Sequence, residues 1–169
     1  MSIATDYMAT DKVDVNIGIE QEGLGLVTDI LQKLLADEHV LYVKLRNYHW
    51  NVTGMSFQPL HAFFAEQYEA VSTFIDDTAE RIRSLGAFAP GSMAAFRELS
   101  RLEETGHFNG NARQMLENIL NDHEAIIRSL REDQEAVGEK AGDNGTQDFL
   151  IGLMEAHEKF AWMVRAHLG

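Results

Sequence analysis

The sequence predicts an all-α protein, a four-helix bundle with a short helix in the long connection between helices 2 and 3. Three observations carry this. Apolar residues recur at three- and four-residue spacing over four long stretches, the stripe by which an amphipathic helix faces a core. No stretch shows the strict alternation of a strand, and no internal repeat competes. Breakers gather between the stretches, with Pro90 and three glycines falling within residues 87–110.

Residues 1–20 show little helical periodicity, and Gly18, Gly23 and Gly25 cluster where they end. They read as a flexible or extended arm ahead of a bundle domain spanning 21–169. The first helix is expected from about Leu26 to Val52, with Val27, Ile30, Leu31, Leu34, Leu35, Leu41, Leu45 and Tyr48 on one face. Ser56 fits the N-cap of the second, and Pro59 falls in its first turn, where a missing N–H costs nothing. That helix runs through Phe63, Phe64, Tyr68, Val71, Phe74, Ile75, Ile82 and Leu85 to Gly86. Met93 to Leu99 forms a short amphipathic piece within the crossover. The third helix starts at Asn111 as N-cap, with Gln114 in the capping-box position. Gly138 marks its end, and Ala141 to Gly145 the turn that follows. The fourth helix carries Phe149, Leu150, Leu153, Met154, Phe160, Ala161, Val164 and Leu168.

At 169 residues, 45% hydrophobic and 24% charged, the chain suits one domain with one core. It holds no apolar run long enough to cross a membrane. Its first twenty residues lack the basic start and apolar stretch of a secretory signal, and it has no cysteine. The expected compartment is the cytoplasm. The net charge of −13 argues against nucleic acid as a direct partner, because phosphate neutralisation by lysine and arginine supplies most of such affinity. Residues 1–20 carry Asp6, Asp11, Lys12, Asp14 and Glu20, a net of −3. An acidic surface attracts cations instead.

The chemistry concentrates in Asn47-Tyr48-His49-Trp50-Asn51-Val52, Leu60-His61 and Ile75-Asp76-Asp77-Thr78-Ala79-Glu80-Arg81-Ile82. Two imidazoles and two carboxylates make a donor set suited to iron. Asp76 and Glu80 are four apart and share a helix face. His49 and His61 flank Thr53 to Ser56, which reads as a tight reversal that lets them converge. On one continuous helix, however, His61 and Asp76 stand roughly 22 Å apart along the axis. A second copy of the chain, antiparallel across a twofold axis, would bring one pair to the other and form the site twice.

At these residues the chain resembles the Dps family (DNA-binding proteins from starved cells), the mini-ferritins, from about Leu35 to Leu168. The resemblance rests on Tyr48 to Val52, Gly54, Phe57, Leu60-His61 and Asp76 to Ile82 taken together. It implies a ferritin-like subunit, a hollow dodecameric shell, and a ferroxidase centre with His49 and His61 from one subunit and Asp76 and Glu80 from its dyad mate. It also implies oxidation of Fe(II) preferentially by hydrogen peroxide, mineral storage within the shell, and protection against oxidative damage. Many family members carry a further carboxylate four residues after the second histidine. Ala65 stands there, and Glu66 lies about 100° around the helix, a possible ligand only by another path.

Other residues weigh less. Asp77 reads as a surface charge. Trp50 reads either as packing or as an electron donor that quenches stray oxidant. Trp162 is expected in the core or an interface. Glu139, Asp143 and Asp148 surround the turn where the resemblance places acidic pores, with Asn144 interrupting them. His39, His107, His123, His157 and His167 are expected not to form a cluster, and Glu104-x-x-His107 reads as chance in a loop. Two alternatives stand beside the ferroxidase: a metal buffer without efficient turnover, with zinc as ligand or inhibitor, and a nucleoid-associated DNA-protecting protein.

Overall fold

The computed structural model describes residues 13–104 and 111–169. Four long helices build the bundle: α1 (Gln21–Asn51), α2 (Phe57–Ser84), α4 (Ala112–Ala136) and α5 (Asn144–Leu168). A short α3 (Met93–Leu99) lies in the crossover and packs on α1. Helices α1 and α2 form one antiparallel hairpin and α4 and α5 the other. Among the described residues there is no strand. The apolar stripes meet in one core that includes Leu31, Leu34, Leu35, Leu41, Leu45, Phe64, Ile82, Met115, Ile119, Ile126 and Leu130, all fully buried.

The crossover is held by charge. The buried Asp37 of α1 accepts from Arg101 Nε at 2.7 Å, from the Arg101 backbone N–H at 2.6 Å and from Ser100 Oγ at 3.0 Å. Arg101 also reaches Asp133 of α4 at 2.8 Å. Lys44 pairs with Asp122 at 2.6 Å and donates to the Glu103 carbonyl at 2.9 Å. Each buried charge is thus paired and hydrogen-bonded, the condition under which burial is tolerated.

Two helix boundaries differ from the sequence expectation. Helix α1 begins at Gln21, five residues before Leu26. A Cβ on Gly23 would stand 3.2 Å from Ala141; glycine here permits close packing of α1 on the far turn, and that packing overrides its poor helix propensity. Nor does the third long helix end at Gly138. It passes through a π-helical turn, Val137–Ala141, and stops at Gly142, whose φ of +65° closes it. A Cβ on Gly138 would meet the Gln147 carboxamide at 2.4 Å. The glycine makes room for that side chain.

Ser56 occupies the N-cap of α2 without a side-chain bond, whereas Asn111 Oδ1 does cap α4, accepting from the N–H groups of Arg113 and Gln114. The Gln114 side chain reaches forward to Asn118 rather than back, so the capping box stays open. Residues 13–20 precede α1 without helix, and the Val13 N–H donates to the Gly86 carbonyl at 3.0 Å. Asp6, Asp11, Lys12 and His107 lie outside the described residues.

Asp143 caps α5. Its carboxylate accepts from the Thr146 N–H at 2.9 Å and the Thr146 hydroxyl at 2.5 Å, and it pairs with Arg81 of α2 at 3.2 Å. Replacement Asp143→Ala is expected to cost at least the cap, about 1–2 kcal/mol, lowering the thermal midpoint by several degrees. Asp143→Asn retains an acceptor and should lose less. Calorimetry of the two variants checks the order.

Candidate metal centre

The turn between α1 and α2 is built for close approach. Gly54 takes φ +103°, and its carbonyl accepts the Phe57 N–H at 3.0 Å. On either side Tyr48, Val52, Leu60 and Phe64 are buried, and the Tyr48 hydroxyl accepts from Asn118 of α4 at 2.8 Å. His49 and His61 follow Tyr48 and Leu60 by one residue. They are therefore placed beside the core rather than in it, each half-buried.

The two histidines hold each other. His49 Nδ1 donates to the His61 carbonyl at 2.7 Å and His61 Nδ1 to the His49 carbonyl at 2.8 Å, with the rings stacked 3.7 Å apart. A carbonyl can only accept, so both Nδ1 atoms carry hydrogen. In each neutral ring Nε2 then keeps its lone pair, the state a metal requires. Phe57 stacks on His61 at 5.1 Å and Tyr68 meets His49 edge-on at 5.3 Å. The Arg46 guanidinium lies 4.7 Å from the Tyr68 ring centre and 5.1 Å from that of Trp50. Trp50 is 63% exposed, so its contact within the chain is this cation–π pair rather than core packing.

Asp76 and Glu80 are both exposed on α2. Asp76 borders a shallow groove with Tyr42, Tyr68, Glu69, Ser72 and Thr73. Neither neighbouring arginine turns to Glu80: Arg81 pairs with Asp143, and Arg83 donates to the Ala87 carbonyl and stacks on Phe88. Helix α2 is unbroken from Phe57 to Ser84, so the histidine pair and the carboxylate pair sit far apart in one chain. Among the described residues, no three His, Cys, Asp or Glu side chains of one chain converge on a metal position. Ala65 is half-buried, and Glu66 and Asp77 are exposed.

Near the α4–α5 turn, Glu139 and Asp148 are exposed. Asp143 is 4% exposed and committed to its cap and to Arg81, so its carboxylate is not free to line an opening. Trp162 is 63% exposed and stands outside the core. His39 stacks on Phe96 and His167 lies beside Phe63.

The expectation that the remaining histidines do not cluster is corrected. His123 and His157 are fully buried and bonded to each other, with Glu38 and Gln67 at the two ends. A signal was present in the sequence. Glu38 lies three or four residues from Leu34, Leu35 and Leu41; His123 stands between Ile119 and Ile126; His157 follows Leu153 and Met154; Gln67 follows Phe63 and Phe64. All four are polar residues in core register.

A family model described as a ferritin-like domain matches residues 28–169. A low temperature-induced protein of Nostoc is 42% identical over 154 residues, which cover 91% of this chain and 86% of that protein. "DNA protection during starvation protein 2" of Bacillus anthracis is 37% identical, over 84% of this chain and 96% of its own. DpsC from Streptomyces coelicolor superposes with a TM-score of 0.90 at 26% identity, over 94% and 92% of the two chains. The Dps protein from Vibrio cholerae, described as a member of a broad superfamily of ferritin-like diiron-carboxylate proteins, does so with 0.87 at 27% identity, over 95% and 100%.

Because each imidazole orients the other, the two act as a unit. Either His49→Ala or His61→Ala alone should weaken anaerobic Fe(II) binding by about 10–100-fold, and the double variant should add little. Titration of the four proteins in a double-mutant cycle measures that coupling.

Proposed function

We propose that this chain, which belongs to the Dps family of ferritin-like proteins, is a ferroxidase that oxidises Fe(II), preferentially with hydrogen peroxide, and stores the ferric product inside a dodecameric shell. The observation that carries this reading is the histidine pair, locked through Nδ1 and presenting both Nε2 lone pairs. The ligand set we assign is His49 and His61 of one subunit with Asp76 and Glu80 of its dyad mate.

Fe(II) is the substrate, drawn toward a chain of net charge −13. Imidazole nitrogen holds the ferrous ion; carboxylate oxygen, harder and anionic, favours the ferric product. Two Fe(II) each give one electron to one peroxide, whose O–O bond breaks to yield two hydroxides. Removing iron and peroxide together leaves no partner for radical chemistry, which is the protection we assign to the protein. Trp50, exposed and adjacent to His49, is placed to surrender an electron should oxidant escape. Glu139 and Asp148 are the acidic groups we assign to iron entry. With Ala65 in place of a carboxylate, the donor set favours a single tightly held iron per site and a second held weakly.

The family name does not transfer DNA binding to this chain. Its surface is acidic, and residues 1–20 net −3. We assign it no tight direct DNA binding.

Three measurements test the reading. After anaerobic Fe(II) loading, stoichiometric peroxide should give fast ferric absorbance that Asp76→Asn abolishes; a rate no faster than buffer would leave a metal buffer, with zinc a candidate occupant. Co-assembly of a His49→Ala/His61→Ala chain with an Asp76→Asn/Glu80→Gln chain should restore about a quarter of the sites, since a shared site then draws all four ligands from complementary subunits. No recovery would overturn the shared site. In a gel shift at low salt, plasmid should migrate freely past the protein.

A further inference from the structure

One polar side chain from each long helix meets in the centre of the bundle: Glu38 from α1, Gln67 from α2, His123 from α4 and His157 from α5, all with no exposed surface. They form a single line. Glu38 Oε1 lies 2.8 Å from His157 Nε2, His157 Nδ1 lies 2.8 Å from His123 Nδ1, and His123 Nε2 lies 2.9 Å from Gln67 Oε1. The rings of Phe74 and Phe160 flank it. None of these groups touches His49, His61, Asp76 or Glu80 through a hydrogen bond.

The hydrogens can be counted from the far end. Gln67 turns Oε1 to the ring and leaves Nε2 buried without a partner. In that orientation the oxygen can only accept, so His123 donates from Nε2, whereas a reversed carboxamide would donate and leave the line with no extra proton. Two bare nitrogens cannot face each other at 2.8 Å, and neither can two N–H groups. One hydrogen therefore lies between the two Nδ1 atoms. With His123 neutral, it belongs to His157. One more hydrogen joins His157 Nε2 to Glu38, either as an imidazolium beside a carboxylate or as a neutral imidazole accepting from a carboxylic acid. Both descriptions give a net charge of zero, one proton more than an ionised Glu38 with two neutral imidazoles would hold.

We propose that this tetrad retains one proton, shared by Glu38 and His157, as an integral part of the folded bundle, and that it makes the bundle sensitive to acid and to alkali. Glu38 Oε2 is buried without a hydrogen-bond partner, a position that holds a full negative charge poorly and a shared proton well. Burial first, and then the charge of His157, hold His123 well below the ordinary imidazole value, in keeping with its role as neutral acceptor. His39, beside Glu38 on α1, feels the Glu38 charge, but burial holds it below the ordinary imidazole value; the other charged neighbours are paired or exposed. On α1, Asp37 is matched by Arg101 and Lys44 by Asp122. On α4 and α5, Glu124 pairs with Arg165 and Glu158 with Arg131. Glu66 and Glu69 on α2 and Glu155 and Lys159 on α5 are exposed.

The sign of the pH response follows from proton counts. Above the imidazole value of about 6.5 the unfolded chain has released both histidine protons while the fold keeps one. Stability then falls as pH rises, by up to about tenfold in the unfolding constant per pH unit. Below that value the unfolded chain binds two protons and the tetrad one, because His123 refuses the second. Stability then falls as pH falls.

The test compares the assembled wild-type protein with Glu38→Gln, by thermal unfolding between about pH 5.5 and 9, a range spanning the ordinary imidazole value. A glutamine amide can donate to His157 Nε2, completing the same line of hydrogen bonds with no extra proton. The variant should assemble, keep the loss of stability in acid, and be relieved of the loss in alkali, so that its midpoint gains on wild type as pH rises above 7. Parallel profiles, or a variant that does not assemble, would overturn the proposal. A second readout needs wild type alone: a low-field proton resonance coupled to imidazole 15N should persist across the upper range. Its disappearance between about pH 7 and 8 would also overturn it.

Discussion

The length of α2 governs how this protein can work. An unbroken helix from Phe57 to Ser84 carries a nitrogen donor near one end and its oxygen donors toward the other, about four turns away. No rotamer change closes such a gap. Chemistry that requires nitrogen and oxygen ligands on one ion must be shared between chains, and a twofold axis crossing near the middle of α2 is the least demanding arrangement. Assembly and activity are then one requirement. On the function we propose, the subunit is a scaffold for two half-sites, and its core keeps α1 and α2 straight and in register.

Within that frame the histidine half is the more highly organised. The tight turn at Gly54, the buried residues Tyr48 and Leu60 and the reciprocal Nδ1 bonds fix the rings before any metal arrives. The carboxylate half is open, with Asp76 and Glu80 exposed on a smooth helix face. In the centre we propose, a fixed nitrogen pair would hold the ion and an exposed oxygen pair would adapt to its change of charge. Rigidity at the turn is secured at a distance, through Tyr48 and Asn118 to α4.

Most of the architecture was legible because it is written in periodicity. The four long helices, the short helix at Met93–Leu99 and the Asn111 cap follow from local pattern and local chemistry. The errors fall where a distant segment decides. Gly23 and Gly138 looked like breakers; each lies within helical structure because Ala141 or Gln147 needs the space of a missing side chain. Asp143 reads in the sequence as part of an acidic pore lining, whereas Arg81, sixty-two residues away, claims it. The convergence of His49 and His61 was visible as types and spacing, but their mutual orientation was not, since it depends on backbone carbonyls across a turn. The meeting of His123 and His157 is hidden from local pattern because it is made across α4 and α5 by residues thirty-four apart.

The central tetrad also bears on how such a chain can change over generations. Replacing any one of Glu38, Gln67, His123 or His157 by an apolar residue leaves its neighbour buried and unsatisfied, a loss larger than the whole line is worth relative to a well-packed apolar core. Concerted replacement of all four would be nearly neutral. Between those two states lies a valley that single substitutions do not cross. The four positions should therefore be inherited as a block, present or absent together in a lineage, and their joint occurrence would mark descent more faithfully than residues that vary one at a time.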